Sequence, residues 1–182
     1  MLNKKIKALL YASNLWYFGE GMLGPLFAVF TAKIGGNILD ITWAWATYLI
    51  VAGVLVMVVG QISDRFSKEK IMLIGYGLNT VFTFSYLLVS APLHLFIVQA
   101  GLGVAAALAI PTWSALYDVH YENKRHEGLV WGLADGQAKI ATGLAIIIGG
   151  LIVNFFSFKL LFVLMGLIQL LATVYQAQIL KK

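Results

Sequence analysis

The sequence predicts an all-α integral membrane protein of six transmembrane helices, and three observations carry that expectation. The 182-residue chain is 60% hydrophobic and only 12% charged, with a mean hydropathy of +0.86. A soluble domain sits nearer ~45–50% apolar. Its apolar segments also stay apolar all round over lengths close to the ~20 residues that cross ~30 Å of hydrocarbon. Finally, the lysines and arginines gather in alternate loops. Backbone inside lipid must satisfy its own hydrogen bonds, which favours helices, and the ~10-residue alternating strands of a membrane barrel do not occur.

Each span has its own boundary signals. The first, Lys7 to Ala32, follows "MLNKKIK", which looks like a signal-peptide start. Its apolar run continues well past ~15 residues, contains Glu20 and shows no convincing cleavage site, so it reads as a retained helix. The second, Ile41 to Ile62, follows "KIGGNILD". The third, Lys70 to Ser90, begins after the charged stretch "GQISDRFSKEK". The fourth, Leu93 to Tyr117, follows "AP", and the fifth, Glu127 to Val153, follows "DVHYENKRH". The sixth, Phe158 to Leu180, follows "NFFS". Residues 1–182 therefore read as one six-helix bundle whose loops leave no room for a soluble domain.

Charge fixes the expected orientation. Lys4, Lys5, Lys7, Arg65, Lys68, Lys70, Lys124, Arg125, Lys181 and Lys182 lie on one side, ten in all, against Lys33 and Lys159 on the other. The positive-inside rule then puts both termini in the cytoplasm and the chain in the cell membrane. The net charge of +5 is explained this way without a nucleic-acid partner. The absence of cysteine excludes a disulfide framework, an iron–sulfur site and a thiol nucleophile.

A faint repeat appears at an offset of 90 residues, pairing Gly53 with Gly143, Gly60 with Gly150, Phe66 with Phe156 and Ser67 with Ser157. One copy would face the cytoplasm and the other the outside, giving two inverted three-helix repeats, a recurring basis of transporter folds.

The stretch Gly60 to Lys70 packs five charges between two apolar spans. The bland reading is an ordinary cytoplasmic loop. Gly60 would permit close backbone approach at the end of a helix. Arg65, Lys68 and Lys70 would complement that helix's negative end, while Asp64 would suit the N-terminus of another helix. "GQISDRFSKEK" resembles the G-x-x-x-D-R-x-x-[RK]-x-[RK] signature of the major facilitator superfamily, which lies in the cytoplasmic turn between helices two and three. The usual eighth-position Gly is Ser67 here. "GLGVAAALAIPTWSALYD" and "GLVWGLADGQAKIATGLAIIIGG" look like helices four and five of that family, and "SFKLLFVLMGLIQLL" looks like helix six.

The resemblance implies half of a major-facilitator fold, and it covers nearly the whole chain. It also implies a secondary active transporter of a small solute, worked by rocker-switch alternating access. A six-helix chain would supply the second lobe as a homodimer. The hinge Asp64 would then cap the partner lobe's fifth helix near Glu127 and Gly128. Two family features are missing. Ile97 stands where proton-coupled members often carry Arg, and Ala145–Ile146 where antiporters often carry Gly-Pro. Both departures argue against drug/proton antiport.

Three ionisable residues fall inside spans: Glu20, Asp135 and Lys139. Asp or Lys at a helix centre costs about 2.5–3.5 kcal/mol on the insertion scale, so such groups mark pathways by default. Asp135 and Lys139, spaced i, i+4, share a helix face and can pair. Glu20 lies near the midplane and is the better proton carrier, because desolvation penalises a charged carboxylate. The bland reading is a self-neutralised pair and a Glu20 that stays protonated or snorkels. Asn14, Tyr17, Trp113 and Trp131 could share the cavity, although single aromatics are more often anchors or packing. Trp113 and Tyr117 form a second i, i+4 pair. Pro25 and Pro111 are expected to kink helices one and four.

His120, Glu122 and His126 are metal-ligand types but read as a solvated loop, so no metal or cofactor is expected. All three histidines lie in loops or at helix ends, and neither H-E-x-x-H nor G-x-S-x-G occurs. An enzyme is therefore not expected. No nucleotide-binding motif points to ATP drive. A non-transporting subunit, or a fragment awaiting a separate lobe, remains the alternative. The substrate, the direction of transport and the coupling ion are not written in the sequence. Glu20 beside aromatics favours a cationic or amphipathic solute, and Lys139 leaves anions open.

Overall fold

A computed structural model describes residues 4–120 and 127–180. The described residues are helical apart from short turns. The helices are α1 (Lys4–Gly21), α2 (Leu26–Lys33), α3 (Ile38–Ser63), α4 (Lys68–Ser85), α5 (Pro92–His120), α6 (Glu127–Phe155) and α7 (Phe158–Gln176), with 3-10 turns at Tyr86–Leu88 and Ala177–Leu180. Five of them (α3, α5, α6, and α4 and α7 with their 3-10 turns) are long and apolar enough to cross a membrane.

The first expected span differs. It is two helices, broken at Met22 to Pro25. Gly24 takes a positive φ of 20° there, and Pro25 lacks the N–H that a continuing helix would need. The expected kink at Pro25 is thus a full break. Pro111, by contrast, leaves α5 continuous. The neighbouring Thr112 hydroxyl donates to the carbonyls of Leu108 at 2.6 Å and Ala109 at 3.0 Å.

Helix starts follow side-chain chemistry. Asn37 and Asp40 form a reciprocal capping box on α3, so the exposed N–H groups of Asn37, Leu39 and Asp40 find acceptors. Ser67 accepts from the Lys70 N–H at the start of α4, and Ser157 accepts from the Leu160 N–H at the start of α7.

Packing runs in two matched sets. α5 lies along α3 and α4, α1 lies along α6 and α7, and α4 and α7 join the sets. Small residues allow the close approaches. A methyl group at Gly75 would come within 2.8 Å of the Ala105 carbonyl oxygen, and one at Gly103 within 2.7 Å of the Tyr48 carbonyl oxygen. One at Gly149 would overlap the Met22 carbonyl, so α6 touches the backbone of the α1–α2 break itself.

Polar side chains tie α7 to its neighbours. The Gln169 amide donates to the Trp16 carbonyl at 3.0 Å, and the Thr80 and Thr173 hydroxyls meet at 2.9 Å. The core divides into one cluster around Leu9, Trp16, Tyr76 and Tyr117 and another around Met22, Phe30, Tyr86 and Phe162. α3 and α6 stay least covered. Each buries only 11% of its most apolar 18-residue window, leaving two long apolar flanks for lipid or another lobe.

Candidate functional site

The expected pathway residues separate into two places. Tyr17, Asp135 and Lys139 meet in a cleft of about 370 Å³ between α1 and α6. Lys139 Nζ lies 3.6 Å from Asp135 Oδ2, and the two side chains are 78% and 77% exposed. The i, i+4 spacing delivers the pairing, but the pair sits on the outside of the bundle. Counting ~1.5 Å per residue from the start of α6, Lys139 lies ~18 Å along the helix, far from either end.

Tyr17 and Asp135 also line an adjoining cavity of about 240 Å³ with Trp113 and Trp131. Trp113 stacks on Tyr117 with ring centroids 4.8 Å apart, and Trp131 meets both rings edge-on. The Trp113 indole N–H donates to the Leu9 carbonyl at 3.2 Å, and the Tyr117 hydroxyl donates to the Val130 carbonyl at 2.9 Å. Tyr117 is wholly buried and therefore braces this wall rather than lining the cavity.

Glu20 is not part of that face. It sits at the end of α1 and lines a separate cavity of about 210 Å³ inside the bundle, with Phe27, Trp45, Tyr48, Tyr86 and Gln99. The break after α1 opens this space. Gln99 donates to the Tyr86 hydroxyl at 3.3 Å. Among the described residues no cation pairs with Glu20 in an ion pair, so Lys139 neutralises Asp135 and not Glu20. The other lining side chains come from the α1–α2 break, α2, α3, the end of α4 with its 3-10 turn, α5 and α7, and sequence analysis did not single them out. Trp45 and Tyr48, one helical turn apart, were the available signal, with Gln99 a lone amide in an apolar span.

Asn14 joins neither cavity. Its amide donates to Gln137 Oε1 at 2.9 Å, and both residues line an apolar groove among α1, α6 and α7. A step of three residues along α1 rotates Asn14 some 60° away from Tyr17.

At the Gly60–Lys70 turn, Lys68 Nζ donates to the Ser63 carbonyl at 3.0 Å and lies 3.5 Å from Asp64 Oδ1. The ammonium thus satisfies the C-terminal end of α3, as its dipole favours. Asp64 is the residue just past α3, and Arg65 and Lys70 are exposed beside it. A methyl group at Gly60 would meet open space, so the close approach expected there is not made within this chain. Glu122, Lys124, Arg125, His126, Lys181 and Lys182, and the side chains of His120 and Glu127, lie outside the described residues. Among the described residues no cluster of metal-ligating side chains occurs.

The family model of the Major Facilitator Superfamily matches residues 9–180. An uncharacterized MFS-type transporter of Methanocaldococcus jannaschii is 23% identical over 173 residues, 95% of this chain and 45% of that protein. An uncharacterized MFS-type transporter of Mycobacterium tuberculosis is 29% identical over 140 residues, 74% of this chain and 24% of that protein. The methylenomycin A resistance protein of Bacillus subtilis is 26% identical over 127 residues, 68% of this chain and 27% of that protein. The chain spans less than half the length of each of these relatives. With the matched region running from α1 through the Gly60–Lys70 turn to the end of α7, the chain belongs to the major facilitator superfamily.

Proposed function

We propose that this chain is one six-helix lobe of a secondary transporter for a small solute, completed by a second copy and worked by rocker-switch alternating access. The observation that carries the reading is the exposed Asp135–Lys139 pair. A lone charge facing hydrocarbon at mid-helix costs about 2.5–3.5 kcal/mol. A second lobe across the Tyr17–Asp135–Lys139 face would enclose a water-lined path and remove that cost. The sparsely covered flanks of α3 and α6 would be the seams between lobes.

Two inverted three-helix repeats fit this arrangement. Shifting α3 by 90 residues lands on α6, and shifting α4 lands on α7. The cap Ser67 lands on the cap Ser157, and the packing of α3 and α4 on α5 exchanges with that of α6 and α7 on α1. The broken first span counts as the sixth crossing, with both termini cytoplasmic. Asp64 would act as the latch, reaching the start of the partner's α6 near Gly128 in the inward-closed state. Glu20 is the proton-carrying candidate.

In a second reading, the other lobe is a different protein segment, as the greater length of the relatives allows. The stoichiometry of the purified chain in lipid nanodiscs, by native mass spectrometry, decides between them. A dimer supports the homodimeric transporter. A persistent monomer overturns it in favour of a separate partner lobe. With uptake in hand, Glu20→Gln is expected to abolish pH-driven transport, and unchanged transport would remove its proton role. Methylenomycin A, named for two of the relatives, belongs in the first solute screen.

A further inference from the structure

The cavity at the α1–α2 break has a chemistry of its own. One carboxylate, Glu20, shares it with the rings of Phe27, Trp45, Tyr48 and Tyr86, and none of its lining residues is Lys, Arg or His. Phe27, Trp45 and Tyr48 form a connected wall. Phe27 and Trp45 have centroids 5.8 Å apart at 59°, and Trp45 and Tyr48 have centroids 5.8 Å apart at 34°. Aromatic faces carry negative potential and attract alkylammonium groups, the more so where water is excluded. At about 210 Å³ the space falls below the ~300–1,000 Å³ of pockets for drug-sized ligands. It equals the share of about seven waters. Size and charge together select a small cation with a few alkyl groups.

We propose that this cavity is a binding site for a small alkylammonium cation, held by the Glu20 carboxylate and the Phe27–Trp45–Tyr48 wall, and distinct from the Tyr17–Asp135–Lys139 face. The inference rests on the transporter reading only for where the cation goes next. Binding itself needs neither transport nor a second lobe. The two sites differ in kind. The outer face offers both charges in an exposed pair, whereas the inner cavity offers one carboxylate and apolar rings. Leu23 and Gly24 line the inner site, so a bound cation would touch the break that separates α1 from α2.

The test is equilibrium binding of radiolabelled choline to the full chain in nanodiscs, with unlabelled tetramethylammonium and the neutral isostere 3,3-dimethylbutan-1-ol as competitors. Saturable binding is expected, displaced by tetramethylammonium and not by the neutral alcohol. Glu20→Gln should weaken it by tenfold or more. Trp45→Leu, at a half-exposed ring on α3, should weaken it by about threefold or more without disturbing the core. Absence of saturable binding up to millimolar choline would overturn the proposal. So would equal displacement by the neutral alcohol, or unchanged binding in a folded Trp45→Leu protein. A monomer that binds choline would sink the homodimeric reading and leave this site standing, and a dimer that does not bind would do the reverse.

Discussion

The Asp135–Lys139 pair offers the sharpest test of the proposed second lobe across its face. The perturbation is a double-mutant cycle of Asp135→Asn, Lys139→Gln and the two together. At 3.6 Å two unit charges attract by about 1 kcal/mol at the dielectric constant of water, and by about 5 kcal/mol at an effective value near 20. Exposed pairs measured by such cycles give only ~0.2–1 kcal/mol. Breaking a dry pair from one side costs about 3–5 kcal/mol, because the survivor stays charged and unpaired. The side chains are nearly four-fifths exposed, so a water-lined path predicts a coupling below about 1 kcal/mol. The assay is thermal unfolding in nanodiscs followed by tryptophan fluorescence. For a chain of this size 1 kcal/mol moves Tm by about 2–4 °C. The double variant should therefore melt within about 4 °C of the sum of the singles. Non-additivity corresponding to about 3 kcal/mol or more would place the pair in a dry setting and refute the water-lined path.

Two neighbouring glycines test the contact between α6 and the α1–α2 break. Gly149→Ala meets the Met22 backbone, whereas Gly150→Ala meets open space. Both gain the same helix propensity, so Gly149→Ala should be less stable than Gly150→Ala by about 1–3 kcal/mol. Equal melting temperatures would mean that α6 does not touch the break. Ser67→Ala and Ser157→Ala each remove a helix cap, and each should cost about 1 kcal/mol in the same melts. No change in either would show that the cap is not made. Asp64→Asn should weaken the inward-closed state, raising the labelling from the cytoplasmic face of a single cysteine introduced in place of Ala138 in the Tyr17–Asp135–Lys139 cleft. Unchanged access of both faces would end the latch reading.

Much of the fold was legible because its signals are local. Apolar runs placed the ends of α3, α5 and α6 to within about three residues, and Ser67 and Ser157 mark helix starts by their own hydroxyls. The i, i+4 step was enough to pair Asp135 with Lys139. Two things were not legible. Pro25 and Pro111 are chemically alike in sequence, yet only Pro25 of the two lies at a helix break, as the N-cap of α2. Pro25 follows Gly24, whose positive φ admits a turn, and the Gly149 face of α6 lies against that turn. Pro111 lies mid-helix beside Thr112, whose hydroxyl back-bonds to α5.

The grouping of Glu20 was hidden for a related reason. Depth alone put Glu20 near the midplane, but depth does not specify which side of a helix faces which cavity. Glu20 and Tyr17 are three residues apart on α1, and that small rotation is enough to send one into the bundle and the other to its outer face. Because α1 packs along α6 and α7 and also touches α5, neighbouring turns of one helix serve different compartments. A carboxylate beside aromatic rings and an exposed ion pair therefore occupy separate sites. The α1–α2 break touches both the inner cavity, through Leu23 and Gly24, and the flank helix α6, through Met22 and Gly149. The two sites are joined most directly by α1 itself, which carries both Tyr17 and Glu20, and Gly149→Ala, which meets the Met22 backbone, tests whether the break contributes to any coupling between them.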